Sequence, residues 1–161
     1  MTSTFTPAFD INRSGTTPAL GRELRLRRLF EADGRTVTVA LDQAVPRGVA
    51  PRLATIGTTF DSIAAGNPDA VTITKGLAGP LFGGRPNPLP WILKASMFSV
   101  EFHPTYDATI GTVHDAIRLG ADAVAVGISA GSSNQVAMFE MLTSVVEEAH
   151  SWGLPVVCHA Y

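Results

Sequence analysis

Short runs of β-branched and apolar residues, each followed by apolar positions at helical spacing, recur along this chain. The first, Thr36-Val37-Thr38-Val39-Ala40-Leu41, follows the turn-forming Asp33-Gly34 and predicts strand one. Residues Pro51 to Ala65 then carry Leu53, Ile56, Phe60, Ile63 and Ala64 at helical spacing, with Pro51 suited to a first turn. Gly66 ends that helix, Asp69 to Thr74 predict strand two, and Trp91 to Ala95 predict strand three. The stretch from Gly76 to Pro90 is dense in Gly and Pro and reads more as loop than as a long helix. Thr112 to Leu119 predict a short helix closed by Gly120, and Asp122 to Val126 predict strand four. The longest helix runs from Ser133 to Trp152, with Val136, Phe139, Leu142, Val146 and Ala149 on one face. Gly153 stops it before strand five, Pro155 to His159.

An internal echo supports this division. Gly66-Asn-Pro-Asp69-Ala70-Val71 and Gly120-Ala-Asp122-Ala123-Val124 both set a helix-ending glycine just ahead of a strand opening Asp-Ala-Val, and Gly153-Leu154-Pro155-Val156 repeats it loosely. Strands apolar throughout, alternating with helices, predict a parallel sheet covered by helices. A closed eight-fold barrel and an open doubly wound sheet both satisfy that pattern. Residues 1–22, rich in Thr, Ser, Pro and Gly, read as a flexible N-terminal extension, leaving 23–161 as the α/β unit.

Bulk properties narrow the partners. The length of 161 residues fits one domain, and 45% hydrophobic content excludes a disordered chain. A net charge of −2 gives no electrostatic reason to expect nucleic acid or an anionic membrane, and the arginines between Arg22 and Arg28 read as a solvated face. No apolar stretch reaches the length of a membrane span, and the N-terminus lacks a signal-peptide core, so a soluble cytoplasmic protein is expected. Cys158 is the single cysteine; it lies in an apolar run and reads as a buried, inert thiol.

Chemistry in a parallel α/β sheet gathers at the carboxyl ends of the strands. Here those ends are Asp42-Gln43, Lys75-Gly76, Lys94-Ala95-Ser96, Gly127-Ile128-Ser129 and His159-Ala160-Tyr161. Taken singly, an Asp after a strand caps a turn and a Lys there faces solvent; taken together they predict one pocket. No dinucleotide fingerprint follows strand one. Gly79 to Gly84 and Gly127 to Ser133 could each cradle an anion through backbone N–H groups, although the second serves equally as a helix cap. His103, His114, His150 and His159 lack metal-ligand spacing, so no metal and no cofactor is expected.

Four segments together resemble a known family: Arg35 to Asp42, Asp69-Ala70-Val71 through Thr74-Lys75-Gly76, Asp115 to Val124, and Trp152 to Tyr161. Their order and spacing are similar to the archaeal-type (DhnA-like) class I fructose-bisphosphate aldolases of the DeoC/LacD group, from about Glu23 to the end. The resemblance is loosest around strand three. It implies a partial (β/α)8 TIM barrel holding strands one to five of eight, and Schiff-base chemistry on a phosphorylated ketose such as fructose 1,6-bisphosphate. A protonated imine withdraws electrons, so the neighbouring C–C bond breaks to a stabilised enamine. By the same resemblance Asp42 positions the imine and hydroxyls and Tyr161 relays protons, a task that suits a phenol. Lys75, Lys94 and Ser129 are the further substrate-binding candidates at the strand ends.

This sequence departs from the family pattern in two places. Asp-His-Gly is common after strand one, whereas this chain has Asp42-Gln43-Ala44, a form that occurs in wider LacD-like aldolases and leaves the substrate open. The family's imine-forming lysine is on strand six, and the sequence ends at Tyr161, so the chain is expected to lack it and to be inactive alone. On that expectation neither Lys75 nor Lys94 traps a ketose adduct. Two other readings stay open: a non-catalytic half-barrel that binds a sugar phosphate or a complementary chain, and an open-sheet enzyme complete in itself. Five parallel strands without closure would leave open edges, predicting a homo-oligomer or other self-association.

Overall fold

In a computed structural model that describes residues 17–85, 89–98 and 107–161, the chain forms a curled sheet of five parallel strands in the order β1-β2-β3-β6-β7. These strands are β1 (Thr38–Ala40), β2 (Ala70–Ile73), β3 (Trp91–Lys94), β6 (Ala123–Ile128) and β7 (Val156–Ala160), and they match the five expected from sequence. Sequence order equals spatial order, so each strand adds to the same edge, as in the growing wall of a (β/α) barrel. The architecture is α/β and consistent with part of a TIM barrel. A small antiparallel pair, β4 (Ser96–Met97) with β5 (Ala108–Thr109), extends from the end of β3 and was not expected.

The helices cover one face of this sheet. They are α2 (Ala44–Arg47), α3 (Pro51–Ala54), α4 (Ile56–Ala65), α5 (Lys75–Phe82), α6 (Val113–Leu119) and α7 (Gln135–Ser151). Val71, Ile73, Trp91, Leu93, Val124 and Val126 point toward them and form the main core with Phe60, Leu81, Ala116 and Ala149. Burying each of the larger side chains contributes on the order of 1.5–3 kcal/mol. The opposite, concave face alternates with it and is lined by small residues, Ala70, Ala123 and Ala125, together with Ile92. A further helix, α1 (Thr17–Leu29), closes the amino end of this face through Leu29, which packs with those four residues.

Several expectations are corrected here. Residues 17–22, assigned to a flexible extension, form the first part of α1, while residues 1–16 lie outside the described residues. The arginine cluster is more than a solvated face: Arg28 pairs with buried Asp122 at 2.9 Å, and Arg25 donates to the Gly153 carbonyl at 3.1 Å. The segment read as loop after strand two contains α5, which holds Pro80 in its interior. Pro80 lacks the N–H that would bond the carbonyl four residues back. Burial of Ala78 and Leu81, and stacking of Phe82 on Trp91 at 5.5 Å, outweigh the poor helix propensity. The Gly79–Gly84 stretch is therefore mostly helix and not an anion-cradling loop. The Pro51–Ala65 helix is broken at Thr55, whose ψ of 52° leaves the helical region.

On α7 the buried stripe runs through Met138, Met141, Leu142, Val145 and Ala149, whereas Val136 and Phe139 are exposed. Cys158 is exposed on the helix-facing side of β7, in register with Val126, and not buried as expected.

Two features fix where α6 begins and ends. The Thr112 side chain accepts from the Asp115 N–H while the Asp115 carboxylate accepts from the Thr112 N–H, a reciprocal capping box. Gly120 closes the helix in the left-handed region at φ 78°. Thr112→Ala is expected to cost about 1 kcal/mol of stability, read from urea unfolding; an unchanged midpoint would refute the capping role. Lys75 and then the Thr112 groups hold the Asp115 carboxyl below its ordinary range. A depressed carboxyl stabilises above its unfolded range, so this contribution is lost as pH falls through the lowered value.

Candidate active site

Register places the candidate site residues on the concave face. Lys94 is opposite Ala125, itself opposite Val157, and Gly127 is opposite His159. In a parallel sheet, paired residues share a face and every second residue along a strand returns to it. Asp42, two residues beyond Ala40, and Tyr161, two beyond His159, therefore lie at the carboxyl rim of the same wall. The small side chains of Ala123 and Ala125 leave the volume that a long lysine occupies.

Lys94 is the most unusual group. It is only 1% exposed, and its ammonium nitrogen lies 3.2 Å from His159 Nδ1 and 6.0 Å from the centre of the Tyr161 ring. Lysine is rarely so buried without a paired carboxylate, because removing an ammonium from water is costly. Here Asp107 and Asp42 act on it through space, and no described carboxylate is within ion-pair reach. Burial pulls the Lys94 amine below its ordinary range, opposed first by Asp107 and then by Asp42. The same burial, aided by Lys94, lowers the His159 imidazole and so favours its neutral form. An ammonium only donates, so Nδ1 accepts from a protonated Lys94 and the imidazole proton then resides on Nε2.

Asp107, missed by the sequence reading, is brought to the site by the β4–β5 pair. It is 1% exposed; its Oδ1 accepts from Ser96 Oγ at 2.8 Å, and Ser96 Oγ in turn accepts the Gly127 N–H at 2.7 Å. Its Oδ2 is buried without a hydrogen-bond partner, as is Ser129 Oγ. Buried polar atoms without a partner are uncommon in folded proteins. A single residue spacing, an Asp beyond the third strand, gave no signal for this.

The other expected site residues divide. Asp42 is 5% exposed and is in contact with the Gln43 side chain, whose Nε2 donates to Oδ1 at 3.1 Å. Tyr161 is half-exposed at the rim with its ring edge-on to Phe98 at 5.7 Å. Burial first, then Asp107 and Asp42, push its phenol above the ordinary range, which keeps it protonated near neutral pH. Ser129 is buried at the end of β6. Lys75 is not brought into this group: it opens α5 and pairs with Asp115 at 3.1 Å on the exposed side. A pair this exposed is worth roughly 0–1 kcal/mol. Lys75→Ala is expected to leave ligand binding unchanged, measured by calorimetry with a sugar phosphate; a tenfold loss would return Lys75 to the site.

Among the described residues no group of three or more His, Cys, Asp or Glu could hold a metal ion. A shallow cavity of about 380 Å³, lined by Glu31, Val37, Ile63 and Asn67 among others, opens at the amino ends of β1 and β2, away from this chemistry.

The pattern of DeoC/LacD family aldolases matches residues 36–161. The chain belongs to the DeoC/LacD aldolase family. Among curated relatives, a 2-amino-3,7-dideoxy-D-threo-hept-6-ulosonate synthase of Halobacterium salinarum is 29% identical over 88% of this chain and 53% of its own length. A 2-amino-4,5-dihydroxy-6-oxo-7-(phosphonooxy)heptanoate synthase of Streptomyces griseus is 24% identical over 87% of this chain and 52% of its own. An archaeal fructose 1,6-bisphosphate aldolase superposes with a TM-score of 0.73 at 25% identity, over 84% of this chain and 55% of that one. The chain thus spans about half the length of the relatives it matches. Among the described residues, no helix of this DeoC/LacD aldolase chain is long and apolar enough to cross a membrane.

Proposed function

We propose that this DeoC/LacD chain supplies the front wall of a class I aldolase site that cleaves or forms a C–C bond beside the carbonyl of a phosphorylated ketose such as fructose 1,6-bisphosphate. The observation that carries the reading is the convergence of Asp42, Lys94, His159 and Tyr161 at the carboxyl rim of one concave face, in a fold of this family. In this reading Asp42 holds the carbonyl end and its neighbouring hydroxyl. Tyr161, kept protonated, gives a proton to the developing alkoxide and takes it back. Ser129 Oγ and Asp107 Oδ2 accept substrate hydroxyls, which ends their lack of partners. In this reading full aldol turnover also draws on the imine-forming lysine that the family resemblance places on strand six.

The edge strands agree with such an assembly. Along β1 and β7 every residue is exposed or half-buried, whereas β2, β3 and β6 are buried throughout. Such edges are completed by further strands or by a second copy of the chain. The single cysteine, which makes no disulfide within the chain, is compatible with a reducing, cytoplasmic setting.

Exchange of the α-protons of dihydroxyacetone phosphate in D₂O, followed by proton NMR, tests the proposal. The gene product read from Met1 to its own stop codon is expected to wash out one α-proton stereospecifically. Binding without exchange would leave the non-catalytic half-barrel as the better reading.

A further inference from the structure

The buried amine of Lys94 on β3 reaches an imidazole two strands away, His159 on β7, and the strand between them is shaped to let it pass. On β6, Ala125 is opposite Lys94 and Gly127 is opposite His159, so only a methyl group and a hydrogen stand where the two side chains meet. Nζ comes within 3.2 Å of Nδ1. Lys94 is 1% exposed, whereas the His159 ring is half-buried. Among the described residues nothing takes the other ring nitrogen, Nε2.

We propose that Lys94 is a positioning residue that holds His159 as the Nε2–H tautomer, and that this Nε2–H is a further donor of the site, given to the carbonyl or alkoxide oxygen of a small phosphorylated hydroxyketone at the carboxyl rim. This deepens the functional reading above and rests on the site admitting such a carbonyl group. Lys94 acts through the imidazole; His159 is the group that meets the ligand.

In a neutral imidazole the hydrogen bond made by one nitrogen decides where the proton sits on the other. Burial works against the Lys94 ammonium, and Asp107 and then Asp42 oppose that through space. Both carboxyl groups already accept hydrogen bonds, Asp107 from Ser96 Oγ and Asp42 from Gln43 Nε2, as carboxylates do. An ammonium facing them only donates, so Nδ1 must accept and Nε2 carries the proton. Burial first, and then Lys94, lower the imidazole and keep it neutral. With Nδ1 turned to the amine, the Nε2 edge of the half-buried ring is the one left for a ligand. The polar groups then divide by what they read. Asp42 and the unpartnered Asp107 Oδ2 accept hydroxyls, while His159 Nε2–H gives its proton to an oxygen that has none. A hydroxyketone presents both kinds of oxygen.

Long-range proton–nitrogen NMR on the gene product labelled in its histidine rings reads the tautomer directly, with His159→Asn assigning the His159 signals. Wild type is expected to show a protonated Nε2 and a bare Nδ1. Lys94→Met should move both signals toward the average of the two tautomers, and Lys94→Arg, which also only donates, should restore them. Dihydroxyacetone phosphate should shift the wild-type Nε2 signal. His159→Asn should weaken its binding about tenfold, the loss of one hydrogen bond to the ligand. His159→Gln, whose amide N–H reaches the place of Nε2, should lose less. A proton on Nδ1 in the wild type overturns the proposal even if Lys94→Met does not fold. A tautomer indifferent to Lys94→Met, or an Nε2 signal unmoved by dihydroxyacetone phosphate, overturns it as well. Ketose cleavage as fast in His159→Asn as in wild type sinks this inference and spares the aldolase reading. The expected tautomer and ligand shift in a protein that cleaves no ketose uphold the inference and sink aldol chemistry.

Discussion

Tyr161→Phe is expected to lower turnover of a phosphorylated ketose by about 10²–10⁴-fold, the usual contribution of a positioned proton donor, with little change in thermal stability. The phenol is half-exposed at the rim, and its ring keeps its packing against Phe98 when the oxygen is removed. Asp107 and Asp42 hold the phenol protonated beyond what burial alone does. In the bond-forming direction the raised phenol stays a competent donor across neutral and mildly alkaline pH, whereas in cleavage the same oxygen takes the proton of the substrate hydroxyl. Steady-state kinetics should show the loss in kcat rather than in KM, because the proton moves only as the C–C bond breaks. Unchanged kcat would remove Tyr161 from the mechanism.

A second large effect is expected at Gly127. A Cβ built there would lie 2.6 Å from Asp107 Oδ2 and 2.8 Å from Oδ1, so alanine does not fit unless the carboxylate moves. Asp107 is in turn tied through Ser96 Oγ to the Gly127 N–H. Displacing it breaks that chain of hydrogen bonds and leaves buried polar groups unpaired, and overpacking adds to this, for a total of about 2–4 kcal/mol. The unfolding midpoint in urea should fall accordingly, and Ser96→Ala should fall less because it creates no clash. A Gly127→Ala protein as stable as wild type would mean that Asp107 is not held where the fold places it. The glycine matters here for close approach to a side chain, not for backbone freedom, since its φ is not positive.

Much of this arrangement is legible in the sequence, for identifiable reasons. Strands buried on both faces read as unbroken apolar runs, so β2, β3 and β6 stand out without an alignment. Gly120 marks the end of α6 because only the left-handed region closes the helix there. Asp42 and Tyr161 stand out as candidates because they end strands, where parallel sheets expose their chemistry, and the family resemblance gives them roles. What was hidden depends on tertiary contacts. Pro80 argued for a loop, and burial of Leu81 overruled it. Lys75 and Lys94 both end strands in the sequence, yet one turns outward to Asp115 and the other inward to His159. That difference follows from residue parity: Lys94 shares the face of Ile92, whereas Lys75 already begins the first turn of α5. Asp107 left no local trace, since an antiparallel pairing with Ser96 and Met97 is what carries its neighbours Ala108 and Thr109 to the rim.

In the proposed function this concave face handles the carbonyl of a phosphorylated ketose and breaks the bond beside it. The most direct test is to offer the gene product, read from Met1 to its own stop codon, a panel of phosphorylated ketoses that includes fructose 1,6-bisphosphate. Triose phosphate release would be followed enzymatically in wild type, Asp42→Asn and Tyr161→Phe. Cleavage of at least one ketose is expected, with both variants reduced by about a hundredfold or more. Ketoses left intact by the wild type, or cleavage indifferent to Asp42 and Tyr161, would contradict the proposed function.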